Sequence, residues 1–148
     1  MIIDFNDLAP IEKVQALEYI IKDMPQIDIP ITHYFAGGVY ARQMNAPKDS
    51  IFTGKIHKTQ HLAMLVSGTM VISDGDVSDT YVGPVMFVSN PGDKRAGLAV
   101  TDCIFITFHA IDKKPIEELE NELVVDSIEE YNNHIDSLEN CIENKRIA

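Results

Sequence analysis

The segment 54–68 has the sequence GKIHKTQHLAMLVSG and contains two of the five histidines of this 148-residue chain. In an extended chain, side chains of equal parity lie on one face. Lys55 and His57 therefore share a face, as do His61 and Leu65 in the following stretch. The pattern predicts that two imidazoles and an ammonium group lie close together on neighbouring strands.

Short apolar segments continue on both sides of this stretch and are separated by Gly, Pro, Asp and Ser turns. Such turn residues at regular spacing are typical of a β-sandwich or barrel. The predicted strands are 31–35, 39–44, 51–57, 61–66, 69–73, 80–82, 85–88, 95–100 and 103–108.

Helical periodicity flanks the β segments. Residues 8–24 carry apolar side chains three and four positions apart, with Pro10 in the first turn. Residues 116–124 predict a second helix, and a capping box of Ser127 and Glu130 predicts the start of a third. The third helix has a narrow apolar seam, which leaves two alternatives: it docks on its own barrel, or it pairs with another subunit.

The composition is that of one globular domain, with 45% hydrophobic and 24% charged residues. No apolar run approaches the roughly 18 residues that a membrane span needs. We therefore expect a single domain over 1–148, with an N-terminal helix in 1–26, a β-barrel in 27–111 and an acidic helical tail in 112–148.

The net charge of −11 argues against binding to a nucleic-acid polymer, because the chain would repel phosphate backbones. The two cysteines form no C-x-x-C motif, which disfavours a thiolate zinc site and a disulfide scaffold. Residues 1–5 lack a basic region followed by an apolar stretch, so we expect no secretory signal and a cytoplasmic location.

The histidine pair His57 and His61 predicts a divalent transition-metal site, because neutral imidazole is a ligand for zinc, iron and nickel. If these side chains enter a barrel, we expect the cavity to be walled by Ala63, Leu65, Val71 and Val85 or Met86. The alternative is a surface loop rich in histidine and lysine.

The last predicted strand offers a third histidine. Alternation puts Cys103, Phe105, Thr107 and His109 on one face and the residues between them on the other, and either set lines the barrel. If the first set faces inward, His57, His61 and His109 form a three-histidine metal site with open positions for water or substrate. His33 and His134 are expected to be structural or exposed.

Basic side chains accompany these motifs, which is unusual in so acidic a chain, and they predict a local positive pocket for a small anion. Arg95 has the donors to hold a phosphate or carboxylate in a bidentate manner, and Lys55 supplies a point charge. The alternative is that they form surface salt bridges with Asp93, Asp102 or Asp49. The basic set comprises Arg42, Lys55, Lys58, Lys94 and Arg95.

Residues 54–68 resemble the first motif of the cupin superfamily, and residues 83–95 resemble its second motif. Together with residues 40–42 and 107–109, they resemble small cupin-like proteins encoded by tailed phages and prophages. The resemblance covers roughly residues 31–110 and adds Tyr40 to the predicted ligand-binding residues. It implies a mainly β, cupin-type double-stranded β-helix, or jelly-roll barrel, here with an N-terminal helix and two C-terminal helices.

Cupin motifs normally supply two histidines and a glutamate from the first element and a histidine from the second. In this chain His57 matches the second histidine, Lys55 stands at the first and His61 at the glutamate. Arg95 replaces the histidine of the second motif. One of the four usual ligands is thus retained in kind, so a site for zinc, iron, nickel or manganese requires rebuilding from His57, His61 and His109.

Three functions follow from these residues. The first is a metal-binding, cupin-like phage or prophage accessory protein that holds or converts a small anion, in the host cytoplasm and as a homo-oligomer. The second is a metal-free site in which His57 and His61 act as catalytic acid and base on a phosphoester or nucleotide. The third is a non-catalytic ligand-binding or assembly module.

Overall fold

The computed structural model describes residues 4–147, with side chains through Lys145. Residues 1–3 and 148 of the predicted domain lie outside the described residues. After a 3-10 turn at Phe5–Asp7, the elements are α1 (Pro10–Lys22), β1 (Ile31–Ala36), β2 (Val39–Ala46), β3 (Ile51–Thr53), β4 (Ile56–His57), β5 (His61–Ser67), β6 (Thr69–Ser73), β7 (Ser78–Val82), β8 (Val85–Ser89), β9 (Ala96–Ala99), β10 (Cys103–Ala110), α2 (Ile116–Leu123), β11 (Val124–Val125) and α3 (Ile128–Ile147).

Antiparallel strands form two main sheets that enclose the interior. One sheet has the order β1-β2-β10-β5-β8 and the other has the order β3-β9-β6-β7, while β4 pairs with β11. Buried residues of both sheets meet in one apolar cluster, which joins the sheets face to face. That cluster contains Ala46, Leu65, Met70, Ala99 and Cys103.

Gly68 lets the chain pass directly from β5 in one sheet to β6 in the other. Its φ of +92° is a conformation that L side chains rarely adopt. A Cβ at this position would also collide with the backbone carbonyl of Asp102. The glycine of the first motif is therefore required by the barrel itself.

Helix α1 lies against β3. Pro10 occupies its first turn, where the absence of a backbone N–H costs nothing, and Val14 is buried. Glu18 forms an ion pair with Lys94 and accepts a hydrogen bond from Thr53 Oγ1 at 3.2 Å. The helix is thus joined to the barrel by both apolar and charged contacts.

The tail closes one end of the barrel. Leu119 and Leu123 of α2 are buried against Tyr40. Strand β11 pairs with β4, with Val124 opposite His57. The predicted acidic tail therefore contributes a strand to the structure, which periodicity alone did not reveal.

Helix α3 begins at the predicted capping box. Ser127 Oγ accepts a hydrogen bond from the Glu130 backbone N–H at 3.1 Å. Further along, Leu138 and Ile142 of the predicted seam are 47% and 54% exposed. Among residues 4–147, no helix combines the length and hydropathy that crossing a bilayer requires.

Candidate functional site: three histidines in a barrel cavity

The structure brings together His57 of β4, His61 of β5 and His109 of β10. One nitrogen from each ring lies within 4.8 Å of the other two. The ring centroids are 4.2 Å apart for His57 and His61, 4.6 Å for His61 and His109, and 6.0 Å for His57 and His109. On β10, the inward set is therefore the one that contains His109.

Strand pairing explains why these distant residues meet. β10 lies between β2 and β5, so inward residues of all three strands face one cavity. His57 is held from another direction: its carbonyl accepts a hydrogen bond from Gly92 N–H at 2.8 Å, and β4 is paired with β11. The tail thus fixes the position of a residue in the first motif.

Hydrogen bonds orient two of the three rings. Nδ1 of His61 lies 3.3 Å from the Thr59 carbonyl, which only accepts, so Nδ1 carries the proton and Nε2 keeps its lone pair. Nε2 of His109 lies 2.9 Å from Thr107 Oγ1. Gln60, which lies between His57 and His61 in sequence, instead donates to Asn90 Oδ1 at 3.0 Å.

The remaining nitrogen of His109 lacks a partner. Nδ1 is buried and forms no hydrogen bond with any residue that the structure describes. A buried polar atom in this state carries a desolvation penalty that a ligand would offset. His109 belongs to the three-histidine cluster, so the residues present fit a metal ion.

The electrostatics of the cluster favour neutral imidazoles. Burial is the main reason that the pKa of His57 is lowered to about 3, and the nearby His61, His109, Arg42 and Arg95 lower it further. Burial, with His61 and Arg42, lowers the pKa of His109 to about 4. Burial also lowers the pKa of His61. All three rings are therefore in the protonation state that binds metal at neutral pH.

Three predicted basic residues line the same cavity. Arg95 donates to Ser89 Oγ at 2.8 Å and pairs with Asp93 at 3.4 Å, as one alternative anticipated. Lys55 pairs with Asp126 at 3.2 Å. Arg42, in contrast, has no hydrogen-bond or ion-pair partner among residues 4–145.

Two of the predicted basic residues lie elsewhere, which corrects the expected positive pocket. Lys94 is buried, pairs with Glu18 and donates to the Gly54 carbonyl at 2.8 Å. Lys58 donates to the Asn121 carbonyl at 2.6 Å. Neither lysine lines the cavity, and their ammonium groups hold helices onto the barrel, through Glu18 of α1 and Asn121 of α2.

Tyr40 contributes its ring to the site. The ring stacks between Phe35 and His109, with centroid distances of 5.1 and 5.7 Å. Its hydroxyl is 2.6 Å from His33 Nδ1, and burial raises the pKa of the Tyr40 phenol. His33 therefore has the structural role expected for it.

The cavity has a volume of about 440 Å³. Ala63 lines it as predicted, but the prediction was wrong for Leu65, Val71 and Val85. On β6, Met70 and Ile72, the neighbours of Val71 with opposite parity, line the cavity instead. Met86 faces away and is 54% exposed. Sequence reasoning also missed Phe52, whose ring lies where any side chain at Gly97 would collide with it.

Comparisons with known proteins identify the fold. A cupin superfamily protein from Desulfitobacterium hafniense matches with a TM-score of 0.50 and 11% identity, over 61% of this chain and 84% of that one. KdgF from a Halomonas species matches with a TM-score of 0.50 and 11% identity, over 62% of this chain and 88% of that one. The sequence matches no protein-family model and no curated protein.

These structural neighbours confirm the predicted fold class. The protein is a mainly β, cupin-type barrel with one N-terminal helix and two C-terminal helices. Its three clustered histidines form a candidate metal site. At 11% identity these likenesses concern the fold, and the chemistry depends on the residues of the site.

Proposed function

We propose that this protein binds a divalent transition metal through His57, His61 and His109 and holds or converts a small anion in the same cavity. The observation that carries the proposal is the cluster of three imidazoles whose ligand nitrogens lie within 4.8 Å; one of these rings, that of His109, also has a buried Nδ1 without a hydrogen-bond partner among residues 4–145. Three imidazoles are a donor set that suits zinc, iron, nickel or manganese. A bound metal would supply Lewis acidity or activate water.

The protein's own residues have separate roles in this proposal. Thr59 and Thr107 orient the imidazoles of His61 and His109. Arg42 and Arg95 flank the histidines with positive charge and attract the anion. Tyr40 and the apolar lining exclude water from one side of the cluster, which strengthens electrostatic interactions inside it.

The pKa values favour a metal site over the metal-free alternative. His57, with a pKa of about 3, is a weak proton acceptor at pH 7 and is almost never a protonated donor, and burial lowers the pKa of its proposed partner His61 as well. An acid–base pair of His57 and His61 would therefore be poorly matched to neutral pH. The same neutral rings are well suited to coordination.

The proposal also covers the biological context of the protein and its oligomeric state. The likeness of residues 40–42, 54–61, 91–95 and 107–109 to small cupin-like proteins of tailed phages and prophages supports an accessory role in the host cytoplasm. The exposed seam residues of α3 support a homo-oligomer.

Elemental analysis of untagged protein tests the metal site. After incubation with Zn²⁺ or Fe²⁺ and dialysis, we expect about one metal ion per chain in the wild type. We expect His57→Ala and His109→Ala to hold less than about a tenth of that amount, because each removes one of three ligands. His134→Ala, which changes a histidine of α3 outside the cluster, is the matched control.

Circular dichroism of each variant establishes that the barrel is still folded. The proposal is wrong if the folded His57→Ala and His109→Ala variants retain the wild-type metal content. It is equally wrong if wild-type protein takes up no metal at all.

A further inference from the structure

The cavity extends well beyond the histidines, and its inner part is apolar. Its volume of about 440 Å³ exceeds what a metal ion and its water ligands occupy. The apolar lining is contributed by strands of both sheets. It includes Met44, Phe52, Met70, Ile72 and Phe105.

The pairing of β2 with β10 shows that the inward side chains become less polar from one inward pair to the next along the barrel. Tyr40 is paired with His109, Arg42 with Thr107, and Met44 with Phe105. Successive inward residues are about 6–7 Å apart along a strand. The guanidinium of Arg42 is thus attached one step from the histidines, and the apolar lining begins one step further along.

β5 continues the same gradient. Ala63 lies opposite Thr107, and Leu65 lies opposite Phe105. The small Ala63 side chain lines the cavity beside Thr107, whereas Leu65 belongs to the buried core. A ligand placed here would meet a cation first and methyl and aromatic groups next.

Arg42 is the cavity cation with free donors. Arg95 is engaged with Ser89 and Asp93, and Lys55 is paired with Asp126. Arg42 has no such partner among residues 4–145, and its planar guanidinium matches the two oxygens of a carboxylate.

The charge of the lining limits the charge of the ligand. Arg95 is paired with Asp93, and Lys55 with Asp126 outside the lining, so Arg42 is the lining cation without such a pair among residues 4–145. A nucleotide carries several negative charges and a polar sugar, and it matches neither this single cation nor the apolar lining. A monoanion with an apolar body matches both.

We infer that the cavity takes an amphipathic monocarboxylate, with its carboxylate on Arg42 and its hydrocarbon part against Met44 and Phe105. This inference rests on the proposed function in one respect, since it assigns the substrate class of the same cavity. It makes Arg42 the residue that selects the ligand, whereas the histidines hold the metal.

Calorimetric titration with acetate, butyrate, hexanoate and octanoate tests the inference. We expect the affinity to rise about fourfold per added methylene until the apolar lining is covered. We expect Arg42→Gln to weaken octanoate binding by about 10-fold or more, because a charged hydrogen-bonding partner is lost. Lys48→Gln, which removes an exposed positive charge outside the cavity, should leave the octanoate affinity unchanged.

Two further probes complete the experiment. 1-Octanol has a chain of the same length without the charge, and we expect it to bind more weakly than octanoate by about 10-fold or more. Inorganic phosphate should also bind more weakly than octanoate. The inference is overturned if acetate and octanoate bind equally, if phosphate binds more tightly than octanoate, or if Arg42→Gln binds octanoate like the wild type.

Metal content measured on the same preparations separates this inference from the metal proposal. Arg42→Gln should retain the wild-type metal content, since Arg42 supplies no ligand atom. Octanoate binding that depends on Arg42, in protein that takes up no metal after incubation with Zn²⁺ or Fe²⁺, would support the carboxylate site and refute the metal site. Metal binding together with a carboxylate affinity that does not change with chain length would support the metal site and refute the carboxylate site.

Discussion

The two ends of the barrel interior are built differently from the same strands. At one end Ala46, Leu65 and Cys103, from β2, β5 and β10, are at most 2% exposed and belong to the apolar cluster. At the other end the same three strands present Tyr40, His61 and His109 around a cavity. We call these regions the packed end and the histidine end.

The difference shows how one scaffold serves two purposes. Apolar burial at the packed end stabilises the fold and holds each strand in register. The histidine end carries a cavity and an unpartnered imidazole nitrogen, both of which reduce stability. The packed end therefore supplies the rigidity that keeps the three rings together.

The largest expected difference between the two ends is in their response to acid. His57 and His109 have pKa values of about 3 and about 4 in the folded protein, against 6.5 for an unperturbed histidine. Between about pH 6.5 and 4 the unfolded chain binds more protons than the folded chain. The free energy of unfolding of metal-free protein should therefore fall with falling pH, by about 1.4 kcal/mol per pH unit for each histidine.

Urea unfolding with a chelator at pH 7, 6 and 5 measures this slope. His109→Gln should give a shallower slope than the wild type, since one titrating group is removed. Leu65→Ala is the control at the packed end: it should lower stability by about 2–5 kcal/mol at every pH and leave the slope unchanged. Equal slopes for the wild type and His109→Gln would contradict the assignment of neutral buried histidines.

A smaller effect is expected from the residue that orients His109. Thr107→Val preserves the shape of the side chain and removes the hydroxyl 2.9 Å from Nε2. We expect metal affinity to fall about 10–100-fold, because outer partners fix the orientation of ligating imidazoles. Competition with a chromophoric chelator measures the affinity.

Thr59→Val is the matched control for this change. Thr59 holds His61 through its backbone carbonyl, which the substitution retains, so metal affinity should remain at the wild-type value. Loss of affinity in both variants to the same extent would show that hydroxyl loss acts through general destabilisation.

The smallest expected effect on the barrel comes from α3, which lies outside both ends. If the exposed seam pairs two subunits, Leu138→Glu combined with Ile142→Glu should produce monomers and leave metal content unchanged. The control is Asn133→Glu with Asn140→Glu, which adds the same charge at exposed polar positions of the helix. Sedimentation velocity gives the mass, and an unchanged mass in the seam variant would rule out this role.

Much of the secondary structure could be predicted from local pattern. The turn residues separated the strands, and Ser127 with Glu130 marked the start of α3. The segment 51–57 was predicted as one strand, but Gly54 and Lys55 interrupt it between β3 and β4. That break turns His57 away from the sheet containing β3 and into the pairing with β11.

The site could be predicted only in part. Alternation placed His109 and Thr107 on the same face of β10. It did not say whether that face is the inner or the outer one, because this depends on how the neighbouring strands pair with β10. The same ambiguity led to Val71 in place of Met70 and Ile72. The sequence placed both Lys94 and Arg95 in the positive pocket, but in the structure Lys94 pairs with Glu18 of α1, whereas Arg95 lines the cavity.

The amino-acid sequence by itself determined the barrel, its flanking helices and the histidines available to it, because turns, caps and period-two alternation are local properties. The tertiary structure alone decided that three histidines from separate strands share one cavity, that Lys94 is bound to a helix, and that Arg42 has no hydrogen-bond or ion-pair partner among residues 4–145. Those outcomes depend on strand register and on contacts between residues far apart in the chain, which local patterns do not contain.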